Sequence, residues 1–111
     1  MLVPVIDQID RFVKGPRRVS WLHSDHMSIY VRKGTHVDEN NEIRKFIDLA
    51  NIQVDIGYRG EGRFTNLLCH LEEQKYYEGI FVEAILNRRL WEFLVDRGYQ
   101  PLNMDCFLIT V

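Results

Sequence analysis

The sequence predicts a single α/β (α+β) domain on a mixed sheet, with elements in the order α-β-β-β-α-β-α-β. Three observations predict it. Ile52, Val54 and Ile56 alternate behind the apolar run Phe46-Ile47-Asp48-Leu49-Ala50, the pattern of a strand buried on at least one face. Gly57, Gly60 and Gly62 then break that pattern, and Phe64, Leu67, Leu68 and Leu71 recur at helical spacing. A further run of β-formers, Ile80 to Ile85, follows the helix. Strand, helix, strand in succession implies a right-handed crossover between parallel strands.

Composition narrows the class. A chain of 111 residues with 46% hydrophobic side chains is one globular domain with a real core. Its formal net charge of −2 gives no general attraction for nucleic acid or an anionic membrane. Cys69 and Cys106 lie far apart and form no Cys-x-x-Cys pair, so they read as two buried thiols in a reducing cytosol. Asp7 interrupts the N-terminal apolar run too early for a signal peptide, and no run approaches membrane-spanning length. The expected location is cytoplasmic.

The elements follow in order. Leu2, Val5, Ile6, Ile9, Phe12 and Val13 mark one face of a first helix that opens at Pro4 and ends at Gly15-Pro16. Arg18 to Leu22 and Met27 to Arg32 read as two strands around Ser24-Asp25. His23 and His26 flank that turn without the cysteines or carboxylates that would complete a zinc set, and they read as freely titrating turn histidines. The polar stretch Gly34 to Asn41 reads as a loop, and the long strand Ile43 to Val54 follows it. Asp48 stands out there, because a carboxylate inside an apolar strand must be paired, exposed or useful. The next helix spans about Arg63 to Gln74, with His70 expected at its surface and Tyr76-Tyr77 covering the sheet edge. Glu83 is a second carboxylate, inside the strand that follows Gly79. Asn87 suits the cap of the last helix, Gly98 its end, and Cys106 to Val111 closes the sheet.

A strand feeding glycines at a helix N-terminus is a ready-made anion site, because unpaired N–H groups converge where the helix dipole is positive. No Gly-Lys-Ser/Thr follows, so this is not a Walker loop, and Phe64 stands near where a dinucleotide fingerprint needs its third glycine. Arg59-Gly60-Glu61-Gly62 resembles the Arg/Gln-x-x-Gly-x-Gly/Ala motif of the GCN5-related N-acetyltransferases (GNAT). Phe64 departs from it at the final small residue. A second block, Ile80-Phe81-Val82-Glu83-Ala84 followed by Asn87, Leu90, Phe93, Gly98 and Tyr99, resembles the family's next strand and its Asn-x-x-Ala…Gly-Phe segment. Together the blocks span about Ile43 to the C-terminus of a chain short for the family. The usual N-terminal strand and second helix are missing or compressed into residues 1–17, on the side that normally helps receive the acceptor.

The resemblance implies a splayed central parallel strand pair and acetyl-coenzyme A (acetyl-CoA) as cofactor. Ile52, Gln53 and Val54 would pair with the pantetheine arm. Backbone N–H groups at the splay would polarise the carbonyl, and those of Tyr58, Arg59, Gly60, Glu61, Gly62, Arg63 and Phe64 would hold the phosphates. Asn87 and Arg88 would contact the cofactor from the second block. Acetyl transfer to a primary amine of a small molecule or protein needs a base, for which Asp48 comes first and Glu83 second. Leu94 stands where the family often carries a tyrosine acid, and a homodimer is compatible with such a domain. Two other classes stay open: a non-catalytic GNAT-fold interaction protein, such as a bacterial or phage accessory factor, and a phosphate- or RNA-binding module using Arg59, Arg63, Arg88 and Arg89. The acidic balance disfavours the last.

Overall fold

A computed structural model describes residues 4–24, 26–38, 40–58, 62–83, 88–102 and 106–110. Helix α1 (Val5–Lys14) opens at Pro4, whose missing N–H costs nothing in a position without an intrahelical acceptor. It buries Val5, Ile9 and Phe12, one turn apart, on a single stripe. Strands β1 (Val19–Ser24), β2 (Met27–Val37) and β3 (Ile43–Val54) form an antiparallel meander. Helix α2 (Arg63–Gln74) then leads to β4 (Gly79–Glu83), which pairs with β3 in parallel. Helix α3 (Arg88–Asp96), a two-residue strand β5 (Gln100–Pro101) and β6 (Cys106–Thr110) complete a sheet of order β1-β2-β3-β4-β6-β5. No helix among the described residues is long and apolar enough to cross a membrane.

The two faces of this sheet differ. Side chains alternate along each strand, so neighbours in sequence point to opposite faces. Ile29, Val31, Ile47, Leu49, Ile80, Val82 and Phe107 meet Ile9 and Phe12 of α1, Leu67, Leu68 and Leu71 of α2, and Leu94 of α3 in one core. All three helices therefore pack on one face. The opposite face carries a smaller cluster of Phe46, Phe81 and Leu108 and the polar residues Arg32, Asp48 and Glu83.

Several expectations need correction. β1 starts one residue later and ends two residues later than the strand pattern indicates. The polar stretch from Gly34 is not all loop, because β2 stays paired with β3 out to Val37 opposite Ile43. Its polar residues lie on a strand whose partner supplies the hydrogen bonds, so polarity misreads it. The real turn is tied by Asp38, whose Oδ1 accepts the Asn40 and Glu42 N–H groups, while Arg44 Nε binds Oδ2. These donors hold the Asp38 carboxyl below the usual carboxylate range. His70 is not a free surface histidine. Asp10 of α1 takes both its Nε2 at 2.7 Å and the Tyr76 hydroxyl at 2.8 Å, which fastens α1 to α2. The cysteines are free thiols, half-buried rather than buried.

Gly79 shows how tightly β4 is seated. A Cβ there would stand 2.3 Å from Phe46 Cε2 and 2.6 Å from the Ile109 carbonyl oxygen. Phe46 is fully buried and the carbonyl is backbone, so neither yields cheaply. We expect Gly79→Ala to cost about 3 kcal/mol in chemical denaturation. An unchanged midpoint would mean that the β3–β4 pair shifts freely.

Candidate active site

The site begins at the end of the described β3–β4 ladder. Among the described residues that parallel ladder runs to Leu49 opposite Val82, and β3 continues to Val54 on β2. Within that extension the β2 register shifts, with Ser28 opposite Gln53 but Tyr30 opposite Ala50. Two residues, Asn51 and Ile52, thus face the single residue Ile29, which is a β-bulge. Asn51 takes φ +48° there, a left-handed conformation that asparagine tolerates better than most residues. The bulge changes the course of β3 just past its last described pair with β4, the level at which the expected splay would open.

Beyond it, Ile56–Tyr58 form one short turn of 3₁₀ helix. Gly62 then precedes α2 with φ +79°, a conformation that strains any side chain, and no side chain caps the helix. The first intrahelical bond is Asn66 N–H to Gly62 C=O at 2.8 Å. The N-terminal turn of α2 thus carries the helix's positive dipole end and N–H groups without an intrahelical acceptor. Among the described residues, a Cβ on Gly62 would meet nothing within 4 Å. The space that a side chain would fill there is open, as a phosphate-holding turn requires.

The other expected cofactor residues distribute as follows. Ile52 and Val54 pack against the helical-face core while Gln53 is exposed. Phe64 is buried in that core, so only its backbone is available to the turn. Arg63 is half-buried on the first turn of α2. Arg88 is exposed on α3 and pairs with Glu92 at 3.3 Å. Tyr58 ends the 3₁₀ turn, and Arg59, Gly60, Glu61 and Asn87 lie outside the described residues.

On the helix-free face, Asp48 is only 3% exposed. His36 Nε2 lies 2.8 Å from its Oδ1, and Arg32 reaches Oδ2 through Nε at 3.3 Å and a terminal nitrogen at 3.2 Å. Arg32 also holds Glu83 of β4 at 2.9 Å, which links β2, β3 and β4 through one guanidinium. Gly34 makes the cluster fit, since a Cβ there would stand 2.6 Å from Asp48 Oδ2. The His36 ring lies over that gap and stacks on Phe81 at 3.9 Å with a 10° tilt. Burial pushes the Asp48 carboxyl above its ordinary range, and the His36 and Arg32 contacts pull the other way. Glu83 is the more accessible carboxylate, with its side chain 27% exposed.

Sequence reasoning picked out Asp48 and Glu83 but missed their partners Arg32, Gly34 and His36. The available signal was their alternation on one face of β2, which places Arg32 opposite Asp48 once the register is known. It also missed the cluster in which Arg97 binds Glu72 and the Cys69 sulfur, and Tyr99 donates to Glu72 at 2.7 Å. Burial and Glu72 hold the Tyr99 hydroxyl protonated well above its usual range. Leu94 is fully buried in the core, not on a cleft wall. His26 adopts φ +68° and contacts Asp55 at 3.2 Å, while the His23 ring lies 6.1 Å from Trp21. Among the described residues no group of three or more His, Cys, Asp or Glu side chains is placed to hold a metal.

No protein-family model matches the sequence, and no curated protein matches it. Solved structures do match the fold. The KacTA–DNA complex superposes with a TM-score of 0.59 at 14% identity, covering 98% of this chain and 82% of that one. A mutant of the AtaT toxin, bound to the C-terminus of the antitoxin AtaR and to acetyl-CoA, gives 0.55 at 17% identity. AtaT complexed with acetyl-methionyl-tRNAfMet gives 0.57 at 16% identity. This chain spans 57% and 61% of the length of those two AtaT chains, each alignment covering 76% of it. The chain has the GCN5-related N-acetyltransferase fold expected from its two sequence blocks, with the parallel pair β3–β4 at its centre.

Arg32→Met tests the electrostatics of the cluster. It leaves Asp48 with His36 alone, so the Asp48 carboxyl should titrate higher still in a carbon-detected NMR titration. A carboxyl raised above its unfolded value adds stability while protonated and loses it as pH rises through the folded value. The deficit of the variant against wild type should therefore be small in acid and grow toward neutral pH, reaching about 2 kcal/mol. A deficit independent of pH would mean that Arg32 acts by packing alone.

Proposed function

We propose that this chain is an acyl-CoA-dependent N-acetyltransferase that moves an acetyl group from acetyl-CoA to a primary amine of a small molecule or protein. The observation that carries the reading is the bulged extension of β3 past β4, leading through Gly62 to an uncapped helix N-terminus. An acetyl-CoA complex of AtaT on the same fold supports it. The amine of an aminoacylated RNA is a further acceptor class, given the AtaT complex with acetyl-methionyl-tRNAfMet. We place the reaction in the cytoplasm, with a homodimer as the working assembly.

Acetyl-CoA would supply an activated thioester carbonyl. Backbone N–H groups of Tyr58 to Phe64, with the Arg59 and Arg63 side chains, would hold its phosphates, and Asn87 and Arg88 would contact it from the second block. Residues 52–54 align the pantetheine arm as an added strand. N–H groups at the bulge bind the carbonyl oxygen as negative charge develops there. Of the two candidate bases, Glu83 is the better placed, because its side chain is the more exposed. It takes the proton from the attacking amine as the C–N bond forms and the C–S bond breaks. Asp48, buried behind it, keeps Arg32 in place. With Leu94 sealed in the core, the departing thiolate takes its proton from water.

That sealed position also favours a second reading, a non-catalytic module of the same fold that binds coenzyme A or a protein partner. Two measurements separate them. A ligand that binds only the folded chain raises its melting temperature by mass action. We expect acetyl-CoA to do so, and no shift at saturating cofactor would sink both coenzyme-binding readings. In a thiol-release assay over a panel of amines, Glu83→Gln should lower kcat about 10²–10⁴-fold while the acetyl-CoA Kd stays the same. Binding without turnover by the wild type on any amine would leave the module reading alone.

A further inference from the structure

Between α1 and β1 lies a cavity of about 310 Å³, the lower end of the size of ligand pockets. Its apolar wall is Phe12 and Leu22, both nearly buried, with Pro16 beside them. Gln8 closes one side, held against β1 by hydrogen bonds to the His23 backbone. Arg11 and Arg17 stand at its rim, and both are exposed. β1 is the edge strand, and β2 separates it from β3, so this cavity is distinct from the splay between β3 and β4.

The two charged residues that line it, Arg11 and Arg17, are both cationic. From Arg11 to Arg18 the chain carries Arg11, Lys14, Arg17 and Arg18 and no acid, although the whole chain has a net charge of −2. Arg11, Arg17 and Arg18 form no ion pair among the described residues. The negative end of α1 favours Arg11 and Lys14 in its last turn but does not explain Arg17 and Arg18, which lie beyond it. The Gly15 N–H already caps the Arg11 and Phe12 carbonyls, and Lys33 Nζ donates to the Gly15 carbonyl while resting 4.9 Å from the Phe12 ring. Unpaired guanidiniums around an apolar hollow match a partner that brings carboxylates and an apolar anchor together. A nucleic acid would meet the same charge, but it carries no aliphatic group to fill an apolar hollow.

We propose that this cavity docks an acidic protein segment, which inserts an aliphatic or aromatic side chain between Phe12 and Leu22 and sets its carboxylates on Arg11 and Arg17. Arg18 extends the attractive field and steers the encounter. The site is independent of the acetyl-transfer reading and stands whether or not the chain turns over acetyl-CoA.

The test is fluorescence anisotropy with a fluorescein-labelled synthetic peptide that alternates glutamate with leucine. Saturable binding that weakens with salt is expected. The double variant Arg11→Glu, Arg17→Glu should weaken it about ten-fold or more. Ser20→Phe, which adds a ring to the cavity from β1 and leaves both arginines in the sequence, should weaken it similarly, with melting temperatures reporting that both variants remain folded. Equal affinity for a peptide with serine in place of leucine would overturn the proposal, because the hollow would then play no part. So would unchanged binding by either variant, or tighter binding of oligouridylate than of the peptide.

Discussion

A carboxylate placed inside a central strand must be neutralised within hydrogen-bonding distance or be protonated. Asp48 meets that constraint with two cationic or proton-bearing partners from β2, and much of the sheet is arranged to let them reach it. Gly34 has no side chain because the Asp48 carboxylate occupies that space. His36 crosses the gap left by Gly34 and lies flat on Phe81, which stands directly opposite Asp48 on β4. Arg32 spans from Asp48 to Glu83 and so spends one guanidinium on two strands. Three strands are registered against one another by these contacts as well as by their backbone ladders.

That registration matters because of where it sits. Asp48 opposite Phe81 is the next-to-last pair of the β3–β4 ladder, and the last is Leu49 opposite Val82. The bulge at Asn51 and Ile52 comes immediately afterwards. A parallel pair that opens needs a firm hinge line, or the opening would spread down the ladder. The fully buried Ile47, Leu49, Ile80 and Val82 lock one side of that line, and the Arg32 cluster locks the other. Beyond it, β3 keeps its backbone order by pairing with β2 alone.

Local pattern carried much of the fold into the sequence reading. The strand Ile43–Val54 and the helix Arg63–Gln74 follow from β-branched alternation and from Phe64, Leu67, Leu68 and Leu71. The extent of β2 did not, since Gly34, Thr35 and His36 look like loop residues until β3 is known to pair with them. The glycine turn was legible because a left-handed residue before a helix calls for glycine at Gly62. The partners of Asp48 were not, because Arg32 and His36 lie 16 and 12 residues away and meet it only through the sheet register. His70 was missed for the same reason: its partner Asp10 is 60 residues distant on another helix. Leu94 shows the converse. Its spacing with Leu90 and Phe93 places it on an apolar face, and the structure puts that face in the core.

The sheet's asymmetry follows from this division and bears on the chemistry. All three helices cover one face, so an anion held by the N-terminus of α2 lies on that side. The ionisable groups that could move a proton, Glu83 with Arg32, lie on the other. The expected splay would connect the two, through backbone at the bulge. In the proposed reaction the phosphates and the attacking amine would then approach from opposite faces, with the carbonyl between them. Such a separation keeps the field of the phosphates away from Glu83. A carboxylate beside a pyrophosphate would hold its proton more tightly and would be a poor acceptor for another. In that reaction the sheet itself, more than any single side chain, would let an anion site and a proton-accepting site operate a few residues apart on the same pair of strands.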